Sequence, residues 1–229
     1  MRQSTGRVSE VRLGSGGKIE LGISCSASLI PSAGQYVLGL DASDLDEVIR
    51  TPLFSIEKSH LGFWATPLYP VKWVPGTFLN LIGPLGHGFN LPPNVERLGM
   101  VTLGDTMARL LLLVTQATAT QTNMTLFTDL NTPMLPTAVE VCPLASLKDT
   151  LDWPDYLVMD IPAERLPELH SLFDLQDKVW LPCPAQVLVT APMPCSGTAK
   201  CGVCAVRGRR GWKLACEDGP VFDLNSLAW

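Results

Sequence analysis

Cys195-Ser196-Gly197-Thr198-Ala199-Lys200-Cys201-Gly202-Val203-Cys204, answered by Cys216-Glu217-Asp218-Gly219-Pro220-Val221-Phe222, is the stretch around which the rest of the chain is read. Its cysteines follow C-x5-C-x2-C-x11-C. Three thiolates close in sequence, with a fourth arriving from a following hairpin, can surround an iron-sulfur cluster, which needs four soft ligands brought together. The residues between them, Ser196, Gly197, Thr198, Ala199, Gly202 and Val203, are mostly small, so the backbone can wrap tightly and aim N–H groups at sulfur. Lys200, Arg207, Arg209 and Arg210 flank the ligands and offset part of the thiolate charge, one of the levers on reduction potential. A basic rim also suits a docking partner.

The spacing is close to the plant-type C-x4-C-x2-C loop with a distant fourth cysteine. A structural zinc site is the competing use of the same residues. Such sites ordinarily show two close cysteine pairs, and here only Cys201 and Cys204 form a CxxC knuckle. The spacing favours the cluster. A disulfide framework is disfavoured by the odd count of seven cysteines and by an N-terminus, Met1 to Arg7, with no apolar signal region, so the cytoplasm is the expected compartment. Cys25, Cys142 and Cys183 lie in apolar or Pro-rich surroundings and read as buried small hydrophobes.

The chain has 229 residues, 46% hydrophobic and 17% charged, with a formal net charge of -5. That length builds one large or two small cores. Mild acidity without a basic face argues against nucleic acid as the main partner. Leu98 to Val114 is the longest greasy stretch, but it contains Asp105 and Arg109 and is short for a membrane span. No transmembrane segment is expected.

Val8 to Leu13, Lys18 to Ser24, Gln35 to Leu40, Leu53 to Ile56 and Thr77 to Ile82 read as strands separated by Ser15-Gly16-Gly17, Pro31-Ser32-Ala33-Gly34 and Pro75-Gly76. An antiparallel β-barrel or sandwich is expected over residues 1–94. From Val95 the pattern alternates. Leu98 to Leu103, Met124 to Thr128, Val139 to Val141 and Tyr156 to Met159 read as strands, with helices over Thr106 to Ala117 and Ala163 to Phe173. Residues 95–184 are therefore expected to be a short α/β unit with a parallel sheet, and 185–229 the cysteine module. The fold class is β followed by α/β.

This order resembles the ferredoxin-reductase superfamily, and specifically the electron-transfer (iron-sulfur, flavin) subunit of type B dihydroorotate dehydrogenases. Gly83-Pro84-Leu85-Gly86-His87-Gly88-Phe89 and Ala215-Cys216-Glu217-Asp218-Gly219-Pro220-Val221-Phe222 carry the resemblance. Ala33-Gly34-Gln35-Tyr36 and Arg50-Thr51-Pro52-Leu53-Phe54-Ser55-Ile56 are weaker echoes, the latter of a flavin-binding Arg-Pro-x-Ser signature with two extra residues. The resemblance implies a 2Fe-2S cluster on Cys195, Cys201, Cys204 and Cys216, with a first gap one residue longer than the family's. It also implies FAD at Arg50, Pro52, Phe54, Ser55 and Ile56, and a hetero-oligomer with a redox partner such as a dihydroorotate dehydrogenase-like catalytic subunit in pyrimidine biosynthesis. Such a chain is an electron-transfer subunit of an oxidoreductase rather than a stand-alone enzyme. The family's Gly-Thr segment for the flavin pyrophosphate has no clear counterpart in His60 to Val74, where Pro67 and Pro70 remove donors.

The family's glycine-rich nicotinamide-nucleotide turn reads Val101-Thr102-Leu103-Gly104-Asp105-Thr106 here, with one glycine and a carboxylate. Asp105 or Thr106 is expected to cap the following helix, occupying the N–H groups a phosphate would need, and a carboxylate there repels one. The family's Cys-Gly-Pro is replaced by Asp160-Ile161-Pro162. NAD(P)H is therefore not expected as a ligand. His60, His87 and His170 are scattered, and no hydrolase or P-loop spacing is present. Trp153, Trp180, Trp212 and Trp229 read as core or interface anchors. The rival class is a non-redox interaction subunit that uses the cysteines as a metal-loaded structural clip.

Overall fold

The computed structural model describes residues 2–14, 17–44, 46–132, 135–173 and 181–229. Ser15 and Gly16 of the first expected turn, and Trp180, lie outside the described residues.

Six strands, β1 (Arg2–Leu13), β2 (Ile19–Ser24), β3 (Tyr36–Asp41), β4 (Thr51–Ser59), β5 (Gly62–Pro67) and β6 (Phe78–Leu85), form a closed antiparallel barrel in the order β1-β2-β5-β4-β3-β6. β1 is longer than its apolar pattern because its first half, Arg2 to Arg7, pairs with β6 and closes the barrel, while its second half pairs with β2. Alternate residues point inward, and Val8, Leu21, Ile23, Val37, Leu53, Phe63, Ala65, Leu79 and Leu81 fill the interior. β5 was not among the expected strands. It begins at Gly62, where an added Cβ would stand 1.8 Å from the Ile23 carbonyl oxygen, so only glycine admits this close strand approach.

The second layer is a sheet in the order β14-β11-β10-β7-β8-β9. Its members are β7 (Arg97–Thr102), β8 (Asn123–Phe127), β9 (Val139–Cys142), β10 (Tyr156–Pro162), β11 (Ala185–Thr190) and β14 (Val221–Asp223). The first five are parallel, and β14 is an antiparallel edge. This is a doubly wound order, with its switch point between β7 and β10. The sheet takes strands from both sides of residue 184, since β11 runs along β10 and β14 returns after the last cysteine.

The expected helix from Thr106 starts as a 3-10 turn, Ala108–Leu110, and becomes α1 at Leu111–Ala119. The one expected from Ala163 is 3-10 as far as Glu168, because Pro167 carries no N–H, and only α2 (Leu169–Leu172) is α-helical. The remaining strands, β12 (Ala205–Gly208) and β13 (Gly211–Leu214), form a separate hairpin.

One core joins the three parts. Tyr36, Leu38, Phe54 and Ile82 from the outer barrel face pack with Val101, Leu103, Met159 and Val187 of the sheet and with Cys204, Val206 and Cys216. Each large side chain fully buried there contributes about 2 kcal/mol. No described helix is long and apolar enough to cross a membrane.

Candidate functional site

Three short segments far apart in sequence meet beneath the cysteines. His87 donates its backbone N–H to the Gly219 carbonyl at 2.6 Å, and its ring Nδ1 lies 3.0 Å from the Asp218 carbonyl oxygen. Gln35 Nε2 donates to the Gly86 carbonyl at 3.0 Å. At Gly86, whose φ is 75°, a Cβ would fall 2.4 Å from Pro220 Cδ. The glycines of the 83–89 segment thus let the barrel end lie flush against the turn after Cys216. Tyr36, fully buried on β3, donates its hydroxyl to the Cys216 carbonyl at 3.3 Å.

On this platform the cysteine loop winds through four left-handed residues, Ser196 (φ 54°), Gly197 (71°), Ala199 (58°) and Gly202 (70°). Such dihedrals are costly for Ser and Ala, roughly 1 kcal/mol each, and here they turn the chain tightly enough to face its amides inward. Val203 N–H lies 3.5 Å from Cys201 Sγ, the Ala199 amide favours ionised Cys216, and the Thr198 and Cys201 amides favour ionised Cys195. Cys204 Sγ stands 3.3 Å from Cys216 Sγ, both buried, whereas Cys201 is exposed and Cys195 half-buried.

These surroundings split the thiols. Burial opposes ionisation of Cys195, but the Thr198 hydroxyl, the Cys201 thiol and the two amides outweigh it and bring its pKa down to about 6. Burial, then the Cys204 neighbour, pushes Cys216 up to about 12. Burial, followed by Cys216, Cys204 and Cys195, also drives the Tyr36 hydroxyl well above its ordinary value, so it stays a donor.

Among the described residues, no group of three or more His, Cys, Asp or Glu side chains is gathered for a single ion. The thiols instead form two neighbouring pairs, Cys195 with Cys201 and Cys204 with Cys216. A tetrahedral zinc draws all four ligands to one point. A 2Fe-2S cluster takes two ligands on each iron. The donor set, its pairing and its inward amides fit the cluster.

The five candidate flavin residues, Arg50 just before β4 and four on it, are placed differently. Arg50 is half-exposed and donates Nη1 to the Asn80 carbonyl at 2.9 Å. Pro52, Phe54, Ser55 and Ile56 are already buried by the chain itself. Phe54 packs on Tyr36 with ring centroids 5.7 Å apart and lies under Arg109, whose Cζ is 5.9 Å from the ring centre. Ser55, on the same face as the barrel-interior Leu53, has its Oγ buried with no hydrogen-bond partner. As packed, this stretch offers a flavin no open surface besides Arg50.

The open volume lies elsewhere. A cleft of about 650 Å³ runs between Lys18 and Thr66 to Val71 of the barrel and the carboxyl ends of β7, β10 and β11, at the switch point of the sheet. Its turn is occupied by the protein's own charges. Lys18 Nζ lies 2.5 Å from Asp105 Oδ2, joining the barrel to the turn, and Thr106 Oγ1 accepts the Ala108 N–H at 3.0 Å; the cap position of the following 3-10 turn is Met107, so neither Asp105 nor Thr106 is the helix cap that was expected. Arg109 Nε donates to Asp160 Oδ2 at 2.8 Å, with the two side chains 4% and 0% exposed. Burial raises the Asp160 carboxyl against the pull of Arg109. Asp160 Oδ1 is left without a partner.

This ion pair was not singled out from the sequence, although a lone carboxylate inside the apolar strand Tyr156 to Ile161 is its signature. Cys25, Cys142 and Cys183 are free thiols away from the cluster loop, half-buried rather than buried as expected. Trp229 packs on Phe173, with centroids 5.8 Å apart, as an anchor should. Trp212 lies outside the core: it is 74% exposed.

Residues 192–228 match the iron-sulfur cluster binding domain of dihydroorotate dehydrogenase B. No curated protein matches the sequence. Among solved structures, an NADH-dependent reduced ferredoxin-NADP oxidoreductase studied for flavin-based electron bifurcation is similar at a TM-score of 0.74 and 18% identity, over 99% of this chain and 90% of that one. A ferredoxin NADP+ reductase from Neisseria gonorrhoeae, with bound FAD and NADP, gives 0.60 and 13% over 82% and 99%. Phthalate dioxygenase reductase, a modular protein for electron transfer from pyridine nucleotides to [2Fe-2S], gives 0.59 and 9% over 94% and 77%. At these identities the likeness shows the fold, which is ferredoxin-reductase-like.

Proposed function

From the premise that residues 192–228 are an iron-sulfur cluster binding domain of the dihydroorotate dehydrogenase B type on a ferredoxin-reductase-like body, we propose that the chain is an electron-transfer subunit serving a partner oxidoreductase. The observation that carries this is the arrangement of Cys195, Cys201, Cys204 and Cys216 as two thiol pairs under inward-facing amides. When bound there, a 2Fe-2S cluster supplies reversible one-electron transfer.

The chain's own residues hold and tune that centre. Cys204 and Cys216 bind from the buried side and exclude water, while Cys201 presents the exposed side. Amides from the 198–203 loop stabilise negative charge on sulfur. Tyr36 fixes the Cys216 carbonyl against the barrel. A dihydroorotate dehydrogenase-like catalytic chain is the partner that the matched domain supports, with the dihydroorotate chemistry residing on that partner and this chain relaying electrons to or from it.

FAD is proposed as a second carrier, with Arg50 as the reachable cation for its phosphates and the cleft near Thr66 and Tyr69 as the volume with room for a ring. NAD(P)H is not proposed as the reductant, because Asp105 and its bridge to Lys18 occupy the turn where a pyrophosphate would meet free amides.

Anaerobic purification with iron, acid-labile sulfide, zinc and flavin assays on one sample tests the reading. Iron and sulfide near two each per chain, with an electron paramagnetic resonance signal on reduction, is expected. One zinc without sulfide would replace it with the structural-clip alternative.

A further inference from the structure

The β12–β13 hairpin gathers positive charge in an acidic chain. Residues 200–213 carry Lys200, Arg207, Arg209, Arg210 and Lys213 with no Asp or Glu, in a chain whose net charge is -5. Asp218 borders the same groove as Arg209, Arg210 and Trp212, and its carboxylate accepts the Leu214 N–H at 2.7 Å. Arg207 lies directly opposite Trp212 across the hairpin, so the two side chains share a face. Trp212 is 74% exposed and borders two grooves, of about 570 and 450 Å³. A large aromatic ring left in water beside arginines is the composition of a binding hot spot.

The hairpin is also rigid, and it is wired to the centre. Val206 beneath it is buried, Arg209 N–H donates to the Ser226 carbonyl at 3.0 Å, and Ala228 N–H donates to the Arg207 carbonyl at 2.8 Å. β12 begins immediately after Cys204, β13 ends two residues before Cys216, and the Ala215 N–H closes on the Cys204 carbonyl at 3.0 Å. Both strands therefore spring from the buried thiol pair. The exposed Cys201 and the 52% exposed Val203 open on the same segment.

We infer that this hairpin is the docking face for an acidic electron-carrier protein, with Trp212 as the anchor and Arg207 and Arg210 as the steering charges. The inference rests on the electron-transfer reading above. In each encounter one electron leaves the reduced centre, which is oxidised, and enters the oxidised carrier, which is reduced; no bond or proton moves. An acidic carrier is repelled by the rest of this acidic chain and attracted here, so charge selects the orientation as well as the rate.

The test uses the full chain with an acidic 2Fe-2S ferredoxin as probe and cytochrome c, a basic carrier, as control. Binding is followed by interferometry and electron transfer from the dithionite-reduced chain by stopped flow, at 50 and 300 mM NaCl. Expected is ferredoxin binding that weakens at least tenfold in Arg207→Glu/Arg210→Glu and several-fold in Trp212→Ala, and that falls with salt. The matched reversal Lys58→Glu/Lys148→Glu, at exposed sites outside the hairpin, should change it less than twofold. Absence of ferredoxin binding, equal effects of the two charge reversals, or a preference for cytochrome c would overturn the inference. If the chain carried no cluster, transfer would vanish while hairpin-dependent binding persisted; if docking were misplaced, the cluster signal would persist while binding ignored the hairpin.

Discussion

Tyr36 donates its hydroxyl to the carbonyl of Cys216, at 3.3 Å, tying a barrel strand to the last cysteine of the centre across 180 residues of sequence. Both residues are buried in the core shared by barrel, sheet and cysteine loop. The position of the fourth thiol is therefore set by the barrel as well as by its own loop.

Tyr36→Phe keeps the ring and removes the donor, leaving the Cys216 carbonyl without that partner. A loss of about 1 kcal/mol in urea unfolding is expected, together with faster iron loss to a chelator. Unchanged iron release would mean the loop alone holds Cys216.

Replacing any of Cys195, Cys201, Cys204 or Cys216 by Ser should abolish or distort the cluster signal. Cys25, Cys142 and Cys183 should tolerate the same change, since burial holds Cys25 and Cys183 up at about 11, as neutral thiols at working pH. Iron and sulfide assays on all seven variants check the division, and equal loss in both groups would refute it.

The Arg109–Asp160 pair is enclosed, so removing one member leaves a buried charge unanswered. Asp160→Ala should cost about 3 kcal/mol or more. The double change Arg109→Met/Asp160→Leu should cost less than the single one. Comparison of urea midpoints decides whether the pair is needed for stability or only tolerated as a pair.

Lys18 holds the Asp105 carboxyl below its ordinary value despite some burial, and the link joins barrel to sheet. A depressed carboxylate stabilises the fold above the ordinary pKa of 3.8, and that contribution is lost as pH falls through the lowered value. Because both groups are largely exposed, the effect should stay under about 1 kcal/mol. The stability difference between wild type and Asp105→Asn, measured from pH 6 to pH 2.5, should shrink toward zero at the acid end.

Mixing the chain with NADH or NADPH in a stopped-flow instrument should produce no rapid bleaching of cluster or flavin. Fast bleaching by either would show that a pyrophosphate can displace the Lys18–Asp105 link, and would restore a nucleotide as the direct donor.

Five of the six barrel strands and four of the five parallel strands were legible because their alternation and apolar runs are local signals, whereas β11 fell within the segment read as the cysteine module. β5 was not: Gly62, Pro67 and the polar turn at Ser59 and His60 read as loop, and the strand exists because β2 and β4 flank it on both sides. The four cysteines were legible by type and spacing, but their pairing depends on left-handed turns that Ser196 and Ala199 do not advertise. The β4 residues illustrate the opposite limit. A short signature names candidate contacts, yet whether a side chain is reachable depends on what packs over it, here α1 and the turn before it.

β11 ends at Thr190 and β14 begins at Val221, and the two lie side by side, with Val187 facing Phe222. In polymer terms the cysteine segment is a closed loop of about thirty residues whose ends are pinned by sheet pairing before any ligand arrives. Joining the ends of such a loop in a free chain costs on the order of 3 kcal/mol of chain entropy. The sheet absorbs that cost during folding, so loading the centre needs only local ordering of the loop, and its loss can remain a local event that leaves barrel and sheet assembled.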